Sequence, residues 1–283
     1  MNILITGVNG FIGKHLLNYF SKKHPVFSIS RTALQPFQNN NFAIDLSDVD
    51  LVKKLFSRNV FKQKIDIILH CAAVLSENDD NKNINVFHKN NAITESMIHI
   101  AGVLNVSKFI NISSIGVYPN KSGTYDEQSA IEPSMNHECL YGLSKVCSEE
   151  LFKFYFKDTI QIINLRLGQV YGDGMRQDRI FEIMKHELQS NNTITVYGNG
   201  LRISNFVAID YLKIKMEKLM NNKNAQGTFN LGEKNLSYAQ LAEMIIEKYG
   251  NSSSKIILKD QGTSAQVMID SSKINAILNN NVL

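Results

Sequence analysis

Cysteine is scarce in this chain: Cys71, Cys139 and Cys147 are the three among 283 residues. An odd number with neither C-x-x-C nor Cys/His spacing argues against a disulfide framework and a zinc site, so no metal is expected. Long apolar runs are missing too. No stretch reaches the roughly 20 residues a bilayer-spanning helix needs. The chain enters a strand pattern at its third residue, so neither a membrane span nor a secretory signal is expected, and the expected compartment is the cytoplasm. A strong charge of one sign is also lacking. Lys and Arg number 30 against 26 Asp and Glu, a formal charge of +4, and the basic residues are scattered. A nucleic-acid partner is therefore not expected, whereas a mild positive balance suits an anionic small substrate.

What is present begins at the N-terminus. Ile3-Leu4-Ile5-Thr6 reads as a short apolar strand, Gly7-Val8-Asn9-Gly10-Phe11-Ile12-Gly13 follows at once, and Lys14 to Phe20 continues as an amphipathic helix. A strand feeding a glycine-rich turn and then a helix N-terminus makes an anion site, because unpaired N–H groups and the positive helix end converge there. The spacing is G-x-x-G-x-x-G. The expected ligand is a dinucleotide, with Gly7, Gly10 and Gly13 permitting the tight turn, the close approach of the pyrophosphate and the close packing of the helix.

Apolar strand patterns at 3–6, 26–30, 42–44, 65–70, 108–112 and 160–167 alternate with helical ones such as 49–56 and a long one near 90–104. That order predicts an α/β fold, a doubly wound parallel Rossmann sheet covered on both faces. After Arg166 the texture changes. Gly168, Gly172, Gly174, Gly198 and Gly200 punctuate shorter elements, and Asn-rich turns recur at 191–192, 221–222 and 279–281. The expected division is a dinucleotide-binding domain over 1–167, joined by 203–223. A smaller, interwoven C-terminal lobe over 168–202 and 224–283 is expected to take the substrate.

The second strand pattern ends Ser28-Ile29-Ser30-Arg31, with no Asp or Glu. A carboxylate at this place would accept hydrogen bonds from the adenosine ribose of NAD and repel a 2′-phosphate. Ser30 and Arg31 can instead bond and neutralise such a phosphate, so NADP is expected ahead of NAD. Chemistry enters at Tyr141-Gly142-Leu143-Ser144-Lys145. Residues four apart share a helix face, and a nearby ammonium stabilises a phenolate, which is expected to draw Tyr141 toward proton transfer near neutrality. Ser113-Ser114 stands just after the fifth strand pattern, at the carboxyl edge where open α/β sheets keep their sites.

With Ser114, Tyr141, Lys145 and the glycine loop, the chain resembles the extended short-chain dehydrogenase/reductase family, also described as the NAD-dependent epimerase/dehydratase family. The resemblance is to its nucleotide-sugar epimerase and reductase branch and runs almost end to end. Asp45-Leu46 resembles the acidic pair that reads adenine, and His70-Cys71-Ala72-Ala73 the His-x-Ala-Ala segment under the cofactor. Asn90 resembles the helix asparagine of the core, and Ser113-Ser114-Ile115-Gly116-Val117-Tyr118 the catalytic-serine segment. Arg166-Leu167-Gly168-Gln169-Val170-Tyr171-Gly172 is similar to the family's entrance to the substrate lobe, with Gln169 where asparagine is usual. The resemblance implies cofactor contacts from Gly7, Gly10, Phe11, Ile12, Gly13, Cys71, Ala72, Ala73 and Asn90. It also implies a nucleotide-diphosphate sugar as substrate and a homodimer built on helices such as the one carrying Phe152-Lys153-Phe154-Tyr155-Phe156.

Two departures shape the functional expectation. Dehydratases of this branch carry acidic residues directly after the catalytic serine or threonine, whereas this chain has Ile115-Gly116, so dehydration is disfavoured. Arg usually precedes the Asp-Phe of the substrate lobe, whereas here Ser204 precedes Asn205-Phe206, leaving Arg202, Arg176 or Arg179 to grip a diphosphate. The resemblance implies an NADP(H)-dependent oxidoreductase that reduces the 4-keto group of a nucleotide-linked deoxysugar. Its rivals are a 4-epimerase with tightly held NAD and a dinucleotide-sensing or scaffold protein without turnover.

Overall fold

A computed structural model describes residues 1–32, 40–57, 60–76 and 80–279; Asn280 and Asn281 of the expected C-terminal turn lie outside them. Strands β1 (Ile3–Thr6), β2 (Val26–Ser30), β3 (Asn41–Ala43), β4 (Ile67–His70) and β5 (Lys108–Ser114) lie in one sheet with β7 (Gln161–Leu167) and β11 (Gly227–Leu231). The order is β11-β7-β5-β4-β1-β2-β3, and every pairing is parallel. Parallel strands buried on both faces read as continuous apolar runs. Ile3 and Ile5 accordingly point into one hydrophobic core and Leu4 into the other.

Helices α1 (Phe11–Phe20), α6 (Ile209–Asn221) and α8 (Ser272–Asn279) cover one face through Leu16, Phe20, Leu212, Met216 and Ile274. Helices α2 (Val49–Leu55), α3 (Ile84–Leu104) and α4 (Cys139–Phe156) cover the other through Val52, Met97, Ile100, Phe152 and Phe156. The aromatic stripe of α4 is thereby divided, since Phe154 and Tyr155 stay exposed. Helix α3 begins six residues before the sequence pattern suggested, because the Asn83 side chain accepts from the Asn85 N–H and starts the helix inside a polar stretch.

Among the described residues, three short sheets accompany it: β8 (Gln169–Tyr171) with β10 (Ile203–Ala208) and β12 (Lys234–Ser237), β9 (Thr193–Tyr197) with β13 (Lys255–Lys259), and β6 (Gly123–Tyr125) with β14 (Val267–Ile269). Helices α5 (Ile180–Asn191) and α7 (Tyr238–Tyr249) close a separate core around Phe181, Met184, Leu188, Leu241 and Ile245. The chain crosses between the two bodies more often than its texture suggested. Residues 203–208 pair within the smaller lobe, while 227–231, expected there, form the edge strand of the main sheet. Helix α6 is tied back to that sheet by Lys108, whose buried Nζ donates to the carbonyls of Leu219, Met220 and Asn222 at 2.7–2.9 Å. Those carbonyls include the ones a helix C-terminus leaves without partners.

Candidate active site

The carboxyl ends of β1, β2, β4 and β5 open on one side of the sheet, where doubly wound folds bind ligands. At the end of β1, Gly7 has φ +71°, and a Cβ there would lie 2.7 Å from the Ala72 backbone. At Gly13 a Cβ would run into the Gly7 carbonyl oxygen. Only glycine lets the turn, helix α1 and the loop after β4 meet this closely. Gly10 is the N-cap of α1 and brings no side-chain acceptor to the first turn, whose N–H groups are the ones a helix leaves for an anion.

The loop after β4 is held by two side chains. The Thr6 hydroxyl accepts from the Cys71 and Ala72 N–H groups, both at 3.2 Å, leaving its own proton for His70 Nδ1 at 2.8 Å. That geometry needs a neutral imidazole, and burial pushes the His70 pKa down to about 3. Asn90, expected to touch the cofactor, pairs with Val74, accepting from the N–H at 2.8 Å and donating to the carbonyl at 2.9 Å, which braces the segment that carries Ala72 and Ala73.

At the end of β2 the Ser30 hydroxyl donates to the Thr32 carbonyl at 2.6 Å, while Arg31 is exposed. Asp45 and the buried Leu46 follow β3. Burial opposes the Asp45 charge, yet the Ser47 N–H and hydroxyl, with Arg31 and Lys89, hold its carboxyl below the ordinary value.

Ser113 and Ser114 are the last two residues of β5 rather than the residues after it. The Ser114 hydroxyl oxygen accepts from the Gly116 N–H at 2.9 Å. Tyr141 and Lys145 share one face of α4, with Lys145 Nζ 5.3 Å from the centroid of the Tyr141 ring. Gly142 brings that face in: a Cβ there would lie 2.5 Å from the Gly116 carbonyl oxygen. The buried Lys145 ammonium donates to the Ile112 carbonyl at 2.8 Å, and burial pulls its pKa down to about 8. Tyr141 departs from the expected electrostatics. Burial raises its phenol above the ordinary value, Glu138 adds to the rise and Arg179 opposes it, so the phenol is the acid form at neutral pH.

The four expected substrate contacts are dispersed. Gln169 donates to the Ser204 hydroxyl at 2.8 Å, Arg176 pairs with Asp178, and the Arg202 guanidinium stands 4.9 Å from the centroid of the Tyr238 ring. Arg179, paired with Glu138 at 3.1 Å, is the one of the four whose charge acts on Tyr141. Two carboxylates escape a reading of the sequence by single motifs. Glu138 precedes α4, and Glu149 follows Lys145 by four residues, a spacing that already places it on the same helix face. Among the described residues, no group of three His, Cys, Asp or Glu side chains is arranged to hold a metal ion, and no helix is long and apolar enough to cross a membrane.

A family model described as the NAD dependent epimerase/dehydratase family matches residues 3–232. The chain belongs to this family. Among proteins of the NAD dependent epimerase/dehydratase family, a dTDP-D-glucose 4,6-dehydratase from Dictyostelium discoideum is 26% identical over 86% of this chain and 61% of its own length. The chain thus spans less than two thirds of that relative. The human protein of the same name is 27% identical over 90% of this chain and 76% of its own. Among solved structures, UDP-glucuronic acid 4-epimerase from Bacillus cereus, in complex with UDP-glucuronic acid and NAD, is 25% identical. It superposes with a TM-score of 0.78 over 99% of this chain and 93% of its own. The residues here fit the family's dinucleotide: a glycine turn without side chains at the end of β1, an uncapped first turn of α1, and polar groups at the ends of β2 and β3.

Proposed function

We propose that this chain is an NADP(H)-dependent oxidoreductase that reduces the 4-keto group of a nucleotide-linked sugar. The observation that carries the reading is Tyr141 and Lys145 on one face of α4, drawn by Gly142 against the turn that follows Ser114. When bound, the nicotinamide supplies hydride at the sugar carbon. Tyr141, a neutral phenol at neutral pH, donates its proton to the developing alkoxide oxygen. The Ser114 hydroxyl donates to the same oxygen, and the Lys145 ammonium places positive charge beside the phenol as it loses its proton. The paired charges of Arg179 and Glu138 act on Tyr141 in opposite senses.

Support for NADP is the exposed Arg31 at the end of β2 with no carboxylate beside it on the strand. The 2′-phosphate contact falls to Arg31 alone, since the Ser30 hydroxyl is already directed at Thr32. Support against elimination is Ile115-Gly116 directly after Ser114, where dehydratases of this branch carry acidic residues. A homodimer is supported by the outer face of α4, where Phe154 is 79% exposed and Tyr155 56%.

A second reading, a 4-epimerase with tightly bound NAD, is favoured by the likeness to the Bacillus cereus epimerase, whose structure holds NAD. The deciding experiment presents the purified protein with UDP- and dTDP-linked 4-keto sugars and follows cofactor absorbance. Preferential consumption of NADPH, shifted toward NADH by Arg31→Asp, is the expected result. Release of tightly bound NAD on denaturation, with interconversion of two epimers and no added cofactor, favours the epimerase. Formation of a 4-keto-6-deoxy product from UDP- or dTDP-glucose makes the chain a dehydratase.

A further inference from the structure

Glu149 lies one helical turn beyond Lys145 and two beyond Tyr141, so the three share a face of α4. It is 2% exposed. A carboxylate that deep needs partners, and it has them on two neighbouring strands. Its oxygens accept from Arg166 Nε at 3.0 Å and Nη2 at 2.7 Å on β7, and from the Ser113 hydroxyl on β5. Arg166 Nη1 also donates to the Tyr118 hydroxyl at 2.8 Å. One turn away, Lys145 donates to the carbonyl of Ile112. Ile112, Ser113 and Ser114 are consecutive, so two anchors from α4 land on adjacent residues of β5 and the next residue is the serine at the site.

We propose that Glu149 is a positioning residue: through Ser113 and Arg166 it holds α4 in register with the end of β5, and it sets a carboxylate one turn from the Lys145 ammonium. The proposal rests on the catalytic reading of Ser114, Tyr141 and Lys145. The groups packed around Lys145 are His70 at the end of β4 and Cys71 after it, Asn90 and Thr94 from α3, and Tyr141 and Glu149 from α4. Arg166 of β7 is engaged by Glu149 itself. Burial holds His70 near 3 and pushes Cys71 up to about 12, so both are neutral at pH 7, and Asn90 and Thr94 carry no charge. Tyr141 is a neutral phenol there for the same reason. Glu149 is the one carboxylate among these groups, opposing the burial that discharges Lys145.

The test follows the Lys145 side chain by NMR in protein carrying isotope-labelled lysine, its signal assigned with Lys145→Arg. Glu149→Gln keeps the shape and removes the charge, and the Lys145 midpoint is expected to fall by about one pH unit. Glu149→Asp restores the charge and is expected to leave the midpoint near that of the parent. Turnover of Glu149→Gln should fall about tenfold with little change in KM, as expected for lost alignment of reacting groups. Should the single variant fail to fold because Arg166 is left buried and unpaired, Glu149→Gln with Arg166→Met removes both charges and is read the same way. An unmoved midpoint in the folded variant overturns the proposal. The titration needs no turnover, so its failure is distinct from that of the catalytic reading, which falls if Tyr141→Phe keeps parental activity.

Discussion

Gly142 of α4 and Gly116 of the turn after β5 meet backbone to backbone: the Cβ that alanine would add at 142 lies 2.5 Å from the Gly116 carbonyl oxygen and 3.2 Å from Pro133 Cβ. This contact sets how near Tyr141 stands to Ser114, because Tyr141 precedes Gly142 on the helix and Ser114 lies two residues before Gly116.

Gly142→Ala is therefore expected to cost activity before it costs the fold. Alanine favours a helix over glycine by about 1 kcal/mol, but here the methyl must push α4 away from rigid backbone. Turnover should fall by about tenfold or more, since small misplacements of reacting groups are expensive. Steady-state kinetics alongside urea unfolding check this, and unchanged turnover in a stable variant refutes the spacing argument.

Tyr141→Phe removes the proton donor and leaves the ring. Turnover should fall by about two to four orders of magnitude, the usual range for a positioned acid or base, while cofactor binding measured by fluorescence stays near parental. Ser114→Ala should cost about 3 kcal/mol in the transition state with little change in ground-state binding, the pattern of a lost oxyanion donor. A rise in KM alone would make Ser114 a binding residue.

Lys145 sets an alkaline limit. Burial holds its pKa near 8, so the ammonium is present below that value and is lost as pH rises through it. The pH profile of kcat/KM, which reports groups of the free enzyme, should bend downward at this limb. In Lys145→Arg the charge persists at high pH, and any residual activity should lack the bend. A limb that survives the substitution belongs to another group.

His70 sets an acid limit on stability. Its pKa is held at about 3 in the fold against 6.5 as the ordinary value, with burial as the first cause and Lys145 as the second. The unfolded chain therefore binds more protons between these values, and stability is lost as pH falls below 6.5. Between pH 6.5 and pH 5 this group should cost about 1.5–2 kcal/mol. Urea unfolding at several pH values measures the slope, and His70→Asn should flatten it. An equal slope in the variant would assign the acid loss elsewhere.

Much of the architecture was written locally. The apolar runs of β1, β2, β4, β5 and β7 and the glycine turn between β1 and α1 follow from neighbours in the chain, because strand burial and turn conformation depend on residue type within a few positions. The i to i+4 spacing of Tyr141 and Lys145 was legible for the same reason. What only the tertiary structure decided are matters of distant partners. Gln169 is turned to Ser204, Arg202 to Tyr238 and Asn90 to Val74, each by a hydrogen bond or ring contact the linear order does not announce. β11 leaves the lobe for the edge of the main sheet because Gly227–Leu231 finds its ladder on β7. The state of Tyr141 is likewise set by enclosure: a nearby lysine argues for a lowered phenol, but the desolvation imposed by the surrounding elements outweighs it and raises the phenol.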